Sequence, residues 1–206
     1  MHPLVALLLS YLLGSIPSAY IAGRVLAAVD LREHGSGNLG ATNVFRVLGV
    51  KAGVAVLIAD TAKGAIPVWL LPGTAGVPDS EIWALAFGVA AILGHIRPVF
   101  LLWRGGGGGK GVATAGGVFL ALAPLSMLAS TAVWVVVLLV SGYVSLASLA
   151  AAVVLPASLL LLRGHESRVF MVSVAIAAFV IWAHRANIGR LRRGEENRFG
   201  RKKAAT

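Results

Sequence analysis

Lys110 is the residue with the clearest capacity for chemistry. Five consecutive glycines, Gly105 to Gly109, run into it, and Gly111-Val112-Ala113-Thr114 follow in an otherwise very apolar stretch. Glycine tolerates positive φ and close approach to a ligand, so successive backbone N–H groups can converge on an anion while the ammonium supplies charge. The pattern predicts a cradle for phosphate. It is not a nucleotide loop: counting back from Gly109-Lys110, G-x-x-x-x-G-K-[ST] needs glycine at 104 and a hydroxyl after the lysine, where Arg104 and Gly111 stand.

A second set of donors lies between Gly35 and Arg46. Ser36, Asn38, Thr42 and Asn43 offer hydroxyls and amides, the glycines offer N–H groups and Arg46 a guanidinium, a neutral-to-cationic set suited to phosphate. The bland alternative is a tight, solvated loop between helices. Gly35, Gly37 and Gly40 also spell G-x-G-x-x-G, with Asp60 about 20 residues further on, but the dinucleotide fingerprint follows a strand in a βαβ unit and this stretch follows an apolar span.

A third set begins at His184. On a helix continuing from the preceding apolar run, His184, Asn187 and either Ile188 or Leu191 share a face. Ser145 and Ser148, at the start of another apolar run, lie at helical spacing, where serine hydroxyls also bond backbone carbonyls. His95 reads as a satisfied interfacial histidine. Arg192, Arg193, Arg201, Lys202 and Lys203 read as charge at a membrane surface.

What is missing narrows the chemistry. No histidine has an aspartate five positions on, no serine sits in G-x-S-x-G, and no His/Asp/Glu cluster has metal-ligand spacing. With no cysteine, thiolate and thioester chemistry are excluded. An enzyme with this sequence works by positioning and charge, without metal, cofactor or nucleic acid and with no obligate protein partner evident.

The elements that must carry these residues are membrane helices. Apolar residues make up 58% of the 206 positions and the mean hydropathy is +0.86, well above the roughly 45–50% apolar usage of soluble domains. The expected fold is an all-α integral membrane protein of about seven transmembrane helices, two of them short. The first runs from about Leu4 to Ala28 with a kink at Pro17, the second from Gly53 to Leu71, ended by Pro72-Gly73, with Asp60 and Lys63 pairing at i,i+3 spacing. The third covers Glu81 to Leu102. Val112 to Val140 is expected as two short helices meeting near Pro124 to Ser130. Val144 to Leu162, broken near Pro156, and Val169 to Ala183 complete the set. A single membrane domain, residues 1–190, then carries a basic tail, 191–206.

Charge chooses the sides. The net charge is +10, and the loops holding Arg46, Lys110 and the C-terminal tail hold most of the lysine and arginine, whereas the opposite links hold only Arg163 and Arg168. The positive-inside rule places the N-terminus outside and the three polar clusters and C-terminus in the cytoplasm.

These stretches resemble, in order and over nearly the whole chain, the bacterial acyl-phosphate:glycerol-3-phosphate acyltransferase family. The resemblance rests on Gly14-Ser15-Ile16-Pro17-Ser18, the Gly35 to Arg46 loop, Asp60-Thr61-Ala62-Lys63-Gly64, Gly94-His95 leading into Gly108 to Thr114, Tyr143 to Ser148, and His184 to Leu191 with Gly194 and Glu196. It implies a multi-pass enzyme of the bacterial inner membrane, with its site facing the cytoplasm, that moves a long acyl chain from acyl phosphate to the 1-hydroxyl of glycerol 3-phosphate. The products would be lysophosphatidate and phosphate, at the first step of phospholipid synthesis. It implies catalytic roles for Ser36, Arg46, Lys110, His184 and Asn187. Substrate binding then falls to Asn38, Thr42, Asn43, Gly109, Gly111, Ser145 and Ser148. Two positions depart from the pattern: the family usually has two glycines before the lysine where this chain has five, and Arg97 stands where an apolar or aromatic residue is common. The competing expectation is a transporter or channel for an organic phosphate, which suits broken helices and inward-facing cations but lacks the internal repeat such folds show.

Overall fold

A computed structural model describes residues 1–105 and 107–199, with Arg104 defined by its backbone alone. The regular structure among the described residues is entirely helical: α1 (Pro3–Gly14), α2 (Ser18–Ala27), α3 (Ala41–Leu48), α4 (Val50–Ala75), α5 (Ser80–Ile96), a 3-10 turn (Val99–Arg104), α6 (Val112–Leu122), α7 (Pro124–Ser141), α8 (Val144–Arg163), α9 (Arg168–Ala183) and α10 (Arg185–Arg192). Five stretches are long and apolar enough to cross a membrane: Pro3–Ala27, Val50–Ala75, Ser80–Trp103, Pro124–Ser141 and Val144–Arg163. A sixth is formed if α9 and α10, bent by 55° at His184, are taken together. The all-helical membrane architecture expected from composition is therefore present. So is the division of 112–140, with α6 ending at Leu122 and α7 starting at Pro124.

Proline behaves differently at each site. At Pro17 the first span breaks into α1 and α2, as expected. By contrast α4 runs through both Pro67 and Pro72 to Ala75 and ends at Gly76, which takes the left-handed conformation at φ 59°. In α8, Pro156 sits inside an unbroken helix ending before Gly164. A proline removes one donor, but in an apolar setting the helix continues through it because leaving the ladder would unpair further backbone groups. The expected end at Pro72 and the expected break at Pro156 are thus both absent. Within the third span the α-helix stops at Ile96, because Arg97 precedes Pro98 and leaves the helical region, and the 3-10 turn carries the span on to Trp103.

The chain divides into two compact units, Met1–Pro124 and Leu125–Thr206. In the first, α4 is the hub, packing against α1, α2, α3, α5 and α6. Glycine makes two of the helix pairs possible. Gly14 lies against the Ala91 backbone and Gly94 against Tyr11 and Ser15, joining α1 to α5; Gly64 lies against Thr114 and Gly117 against Thr61, joining α4 to α6. A Cβ at any of the four would overlap a backbone carbonyl, so these are the small-residue contacts that let membrane helices associate without a hydrophobic driving force. Under the first polar loop, Leu31, Leu39 and Val44 join Ala19, Ala52, Val56 and Leu101 in a buried cluster. At about 1.5–3 kcal/mol per buried aliphatic side chain, three such anchors suffice to pin the loop to α4.

In the second unit α8 packs on α9, and α9 on α10. Trp134 on α7 donates its indole N–H to Ser148 Oγ on α8 at 3.2 Å.

Candidate active site

The first polar loop is organised around Asn43, which is 1% exposed. Its Oδ1 accepts the Ser36 N–H at 2.8 Å, and its Nδ2 donates to the carbonyls of His34 at 2.9 Å and Leu31 at 3.1 Å. The amide thus substitutes for backbone partners that a loop this tight cannot supply. Gly35, at φ 64°, makes the turn that brings Ser36 back to it. Upstream, the buried Asp30 carboxylate accepts from Arg32 Nη2 at 2.7 Å, Arg32 Nε at 3.0 Å, the Arg32 N–H at 3.1 Å and Arg24 Nη2 at 3.0 Å. The Arg32 hydrogen bonds outweigh burial and, with the charges of Arg32 and Arg24, hold the Asp30 carboxyl well below the usual range. This leaves Ser36 and Arg46 exposed, with Asn38 and Thr42 half-buried around the start of α3.

The glycine run divides in two. At Gly107 an added Cβ meets nothing, and at Gly105 it meets open space as well. At Gly108 it would overlap the His95 carbonyl, and at Gly109 the His95 imidazole, with the Leu39 carbonyl 2.9 Å away. Gly108 N–H also donates to the Ile96 carbonyl at 2.9 Å. Among the described glycines of the run, only Gly108 and Gly109 are therefore demanded by packing, and Gly109 brings the glycine loop against the first polar loop at Leu39. Lys110 is half-buried between the buried Gly109 and Gly111. Immediately beyond, α6 begins at Val112 with no side chain capping its first turn. Its leading N–H groups and the positive end of its dipole lie beside the lysine, the usual makings of an anion site.

Behind the loop are three buried side chains. Lys63 Nζ stands 2.7 Å from Asp60 Oδ1 and donates to the Ile16 carbonyl at 2.9 Å; His95 Nδ1 lies 3.7 Å from the same Asp60 oxygen. The expected i,i+3 pair exists, but it is an ion pair of oblique geometry that leaves Oδ1 without an aligned hydrogen bond. Periodicity gave no sign that His95 would join it. Arg97 is exposed, and its carbonyl accepts from Tyr11 Oη at 2.8 Å.

In the second unit Glu196 is the organising residue. Its Oε1 accepts from Asn187 Nδ2 at 2.7 Å and Ser145 Oγ at 3.0 Å, and its Oε2 from Arg190 Nε at 2.7 Å. Burial pushes the Glu196 carboxyl up, but the hydrogen bonds from Asn187, Arg190 and Ser145 prevail and leave it lowered. The chain beyond α10 folds back on the α7–α8 turn: Phe199 N–H donates to the Gly142 carbonyl at 2.7 Å, and the Arg198 guanidinium, over the Tyr143 ring, donates to its hydroxyl at 3.1 Å. His184 is buried at the α9–α10 bend, with Nδ1 2.8 Å from the Val180 carbonyl. Because a carbonyl can only accept, Nδ1 is the donor in that contact. Ser148 donates to the Val144 carbonyl besides accepting from Trp134. The structure therefore joins Ser145 and Asn187 through a carboxylate that residue chemistry alone did not single out. The signals in the sequence were its place in the family resemblance and a pair of acids, Glu195 and Glu196, inside a basic segment.

A groove of about 420 Å³ lies between Ile16, Pro17, Tyr20 and Ile21 on one side and Phe100, Leu101 and Trp103 on the other. The α1–α2 break opens one wall, and the 3-10 turn leading to the glycine run forms the other.

Helical spans, amide-rich and cationic loops and an apolar groove define an integral membrane protein. The family model for glycerol-3-phosphate acyltransferase matches residues 4–194, and the chain belongs to that family. It is 48% identical to the glycerol-3-phosphate acyltransferase of Geotalea daltonii, with 96% of this chain and 98% of that one aligned. It is also 48% identical to that of Listeria monocytogenes, over 92% of each chain. It resembles the crystal structure of PlsY, an integral membrane glycerol 3-phosphate acyltransferase, in its glycerol 3-phosphate form, with TM-score 0.86, 42% identity and 96% of each chain covered. The lysophosphatidic acid form matches with TM-score 0.82 and 41% identity, over 96% of this chain and 95% of that one. The chain is thus a membrane acyltransferase.

Proposed function

We propose that this enzyme transfers a long acyl chain from acyl phosphate to the 1-hydroxyl of glycerol 3-phosphate, releasing lysophosphatidate and phosphate. The observation that carries the reading is the seating of Lys110: a cation held on a turn that packing fixes, directly before the uncapped first turn of α6. Both substrates carry phosphate, and charge-assisted N–H donors are what phosphate requires. Kinship to the acyltransferase solved in glycerol 3-phosphate and lysophosphatidic acid forms supports the same substrate and product here.

The roles follow from the chemistry of each group. Arg46, Lys110 and the N–H groups around Gly109 and Gly111 bind phosphate and stabilise charge that develops as the donor breaks. Ser36, Asn38 and Thr42 add hydroxyl and amide donors, whereas Asn43, its amide wholly occupied by the loop, acts by shaping that loop. His184 and Asn187 hold glycerol 3-phosphate. Ser145 supports Asn187 through Glu196, and Ser148 supports the α7–α8 pairing. The groove beside Tyr20 gives the acyl chain apolar surface. The hydroxyl oxygen attacks the acyl carbonyl carbon, the bond from that carbon to the phosphate oxygen breaks, and a phosphate oxygen of the donor takes the hydroxyl proton. Rate enhancement then comes from orientation and electrostatics, with no covalent enzyme intermediate. Within this reading the site faces the cytoplasm of a bacterial inner membrane, and no cofactor takes part.

Purified protein in detergent, supplied with acyl phosphate and glycerol 3-phosphate, is expected to form lysophosphatidate and inorganic phosphate in equal amounts. No turnover, or an acyl group trapped on the protein, would overturn the reading.

A further inference from the structure

His95 lies just outside the loops that carry the assigned groups, yet it touches both the loop and the buried ion pair. Its ring is walled on one side by Asp60, 3.7 Å from Nδ1, and on the other by Gly109, where the Nε2 edge leaves no room for a methyl. Its own carbonyl presses on Gly108, and the next carbonyl, of Ile96, accepts the Gly108 N–H. Asp60 in turn is fixed by Lys63, which is fixed by the Ile16 carbonyl at the break in the first span. A chain of buried contacts therefore runs from a helix break to the residue preceding Lys110.

We propose that His95 is a positioning residue that sets the backbone register of Gly108-Gly109, and with it Lys110, through a brace built on the Asp60–Lys63 ion pair. The inference rests on the assignment of Lys110 to phosphate. His95 itself touches no substrate: its Nε2 edge is closed by Gly109. An imidazole suits the place because it is rigid, flat and polar at both edges, so it can meet a carboxylate on one side and a backbone turn on the other. A loop displaced by about 1 Å is enough to lose on the order of 10²-fold in rate, which is why a residue two steps from the chemistry matters.

The test uses full-length protein in detergent, with turnover of acyl phosphate and glycerol 3-phosphate and hydrogen exchange of backbone amides as separate readouts. His95→Ala is expected to lower kcat/KM by roughly 10²-fold. The same variant should speed exchange at 107–111 by about tenfold while exchange within α4 and α8 stays at the wild-type rate. His95→Gln, which restores a polar group of similar reach, should recover much of both losses. Gly109→Ala, which drives a methyl into the imidazole, should reproduce the loss. Combining it with His95→Ala should recover part of that loss, the Leu39 carbonyl still crowding the methyl. If His95→Ala does not fold, His95→Gln and Gly109→Ala decide the matter. Unchanged exchange at 107–111, a glutamine no better than alanine, or faster exchange spread over all helices would each overturn the brace. Exchange needs no substrate, so a wild-type protein that fails to turn over condemns the proposed reaction and leaves the brace to be judged on exchange alone.

Discussion

Lys63 donates its ammonium to the carbonyl of Ile16 at 2.9 Å, 47 residues away in sequence, at the point where α1 gives way to α2. That carbonyl also accepts the Ser18 N–H at 3.0 Å, so the ammonium fills its second acceptor position at the break, where the helical ladder is interrupted. Lys63→Ala removes that donor and strands the Asp60 carboxylate. The expected cost is about 3–5 kcal/mol, the range for breaking a buried pair from one side. Thermal unfolding in detergent should also show that Asp60→Asn combined with Lys63→Met is less damaging than Lys63→Ala; equal damage would argue against the buried-charge account.

Lys110→Ala should reduce turnover by at least about 10²-fold, the scale of losing one group that stabilises developing charge, while the melting temperature stays close to wild type because the side chain is half-exposed. Initial rates and a melting curve on the same preparation check both halves. Near-normal turnover would remove Lys110 from the site.

Glu196 carries a pH signature. Its carboxyl is lowered in the folded protein, so the folded state binds fewer protons than the unfolded one near the carboxylate range. The stabilisation is complete above the unfolded value and fades as pH falls through the lowered native one. The melting-temperature gap between wild type and Glu196→Gln should hold steady above about pH 5 and shrink below it. A gap that widens on acidification would reverse the assigned sign.

The glycine run should respond unevenly. Gly107→Ala meets open space and is expected to leave turnover near wild type, whereas Gly108→Ala drives a methyl onto the His95 carbonyl and should be strongly impaired. At α4, Gly64→Ala collides with the Thr114 backbone and is expected to destabilise by roughly 1–3 kcal/mol, as overpacking does. Equal tolerance at positions 107 and 108 would contradict the division of the run.

The absence of native cysteine makes sidedness directly measurable. Single cysteines at Glu33 and Glu195 should react with an impermeant maleimide only when the cytoplasmic face is open, and one at Glu166 only from the opposite side. The reverse pattern would overturn the orientation drawn from loop charge.

Much of this was legible before any coordinates. The i,i+3 spacing of Asp60 and Lys63, the break at Pro17 and the split near Pro124 follow from local rules that need only neighbours in sequence. Proline inside α4 and α8 misled because its local cost was outweighed by the need to keep backbone groups paired in an apolar setting. Asn43 read as a free donor, but a side-chain amide can bond to solvent, ligand or its own loop, and only the fold tells which. Glu196 and His95 were visible as residues but their contacts were not, for the same reason: their partners, Ser145 at 51 residues' distance and Gly109 and Asp60 on other elements, are fixed by tertiary packing.

At 1.5 Å per residue the 11 residues of α6 reach about 16 Å, little more than half of the roughly 30 Å of hydrocarbon in a bilayer. At least one end of such a helix stops inside that thickness, where lipid offers nothing to its unpaired terminal amides or carbonyls. Thr114, one turn into α6, packs on Gly64, near the midpoint of the 26-residue α4, so the end that stops short is the one beginning beside Lys110. The first turn of α6 thus begins level with the middle of a neighbouring span, where its unpaired amides can be met only by polar groups that lipid does not supply.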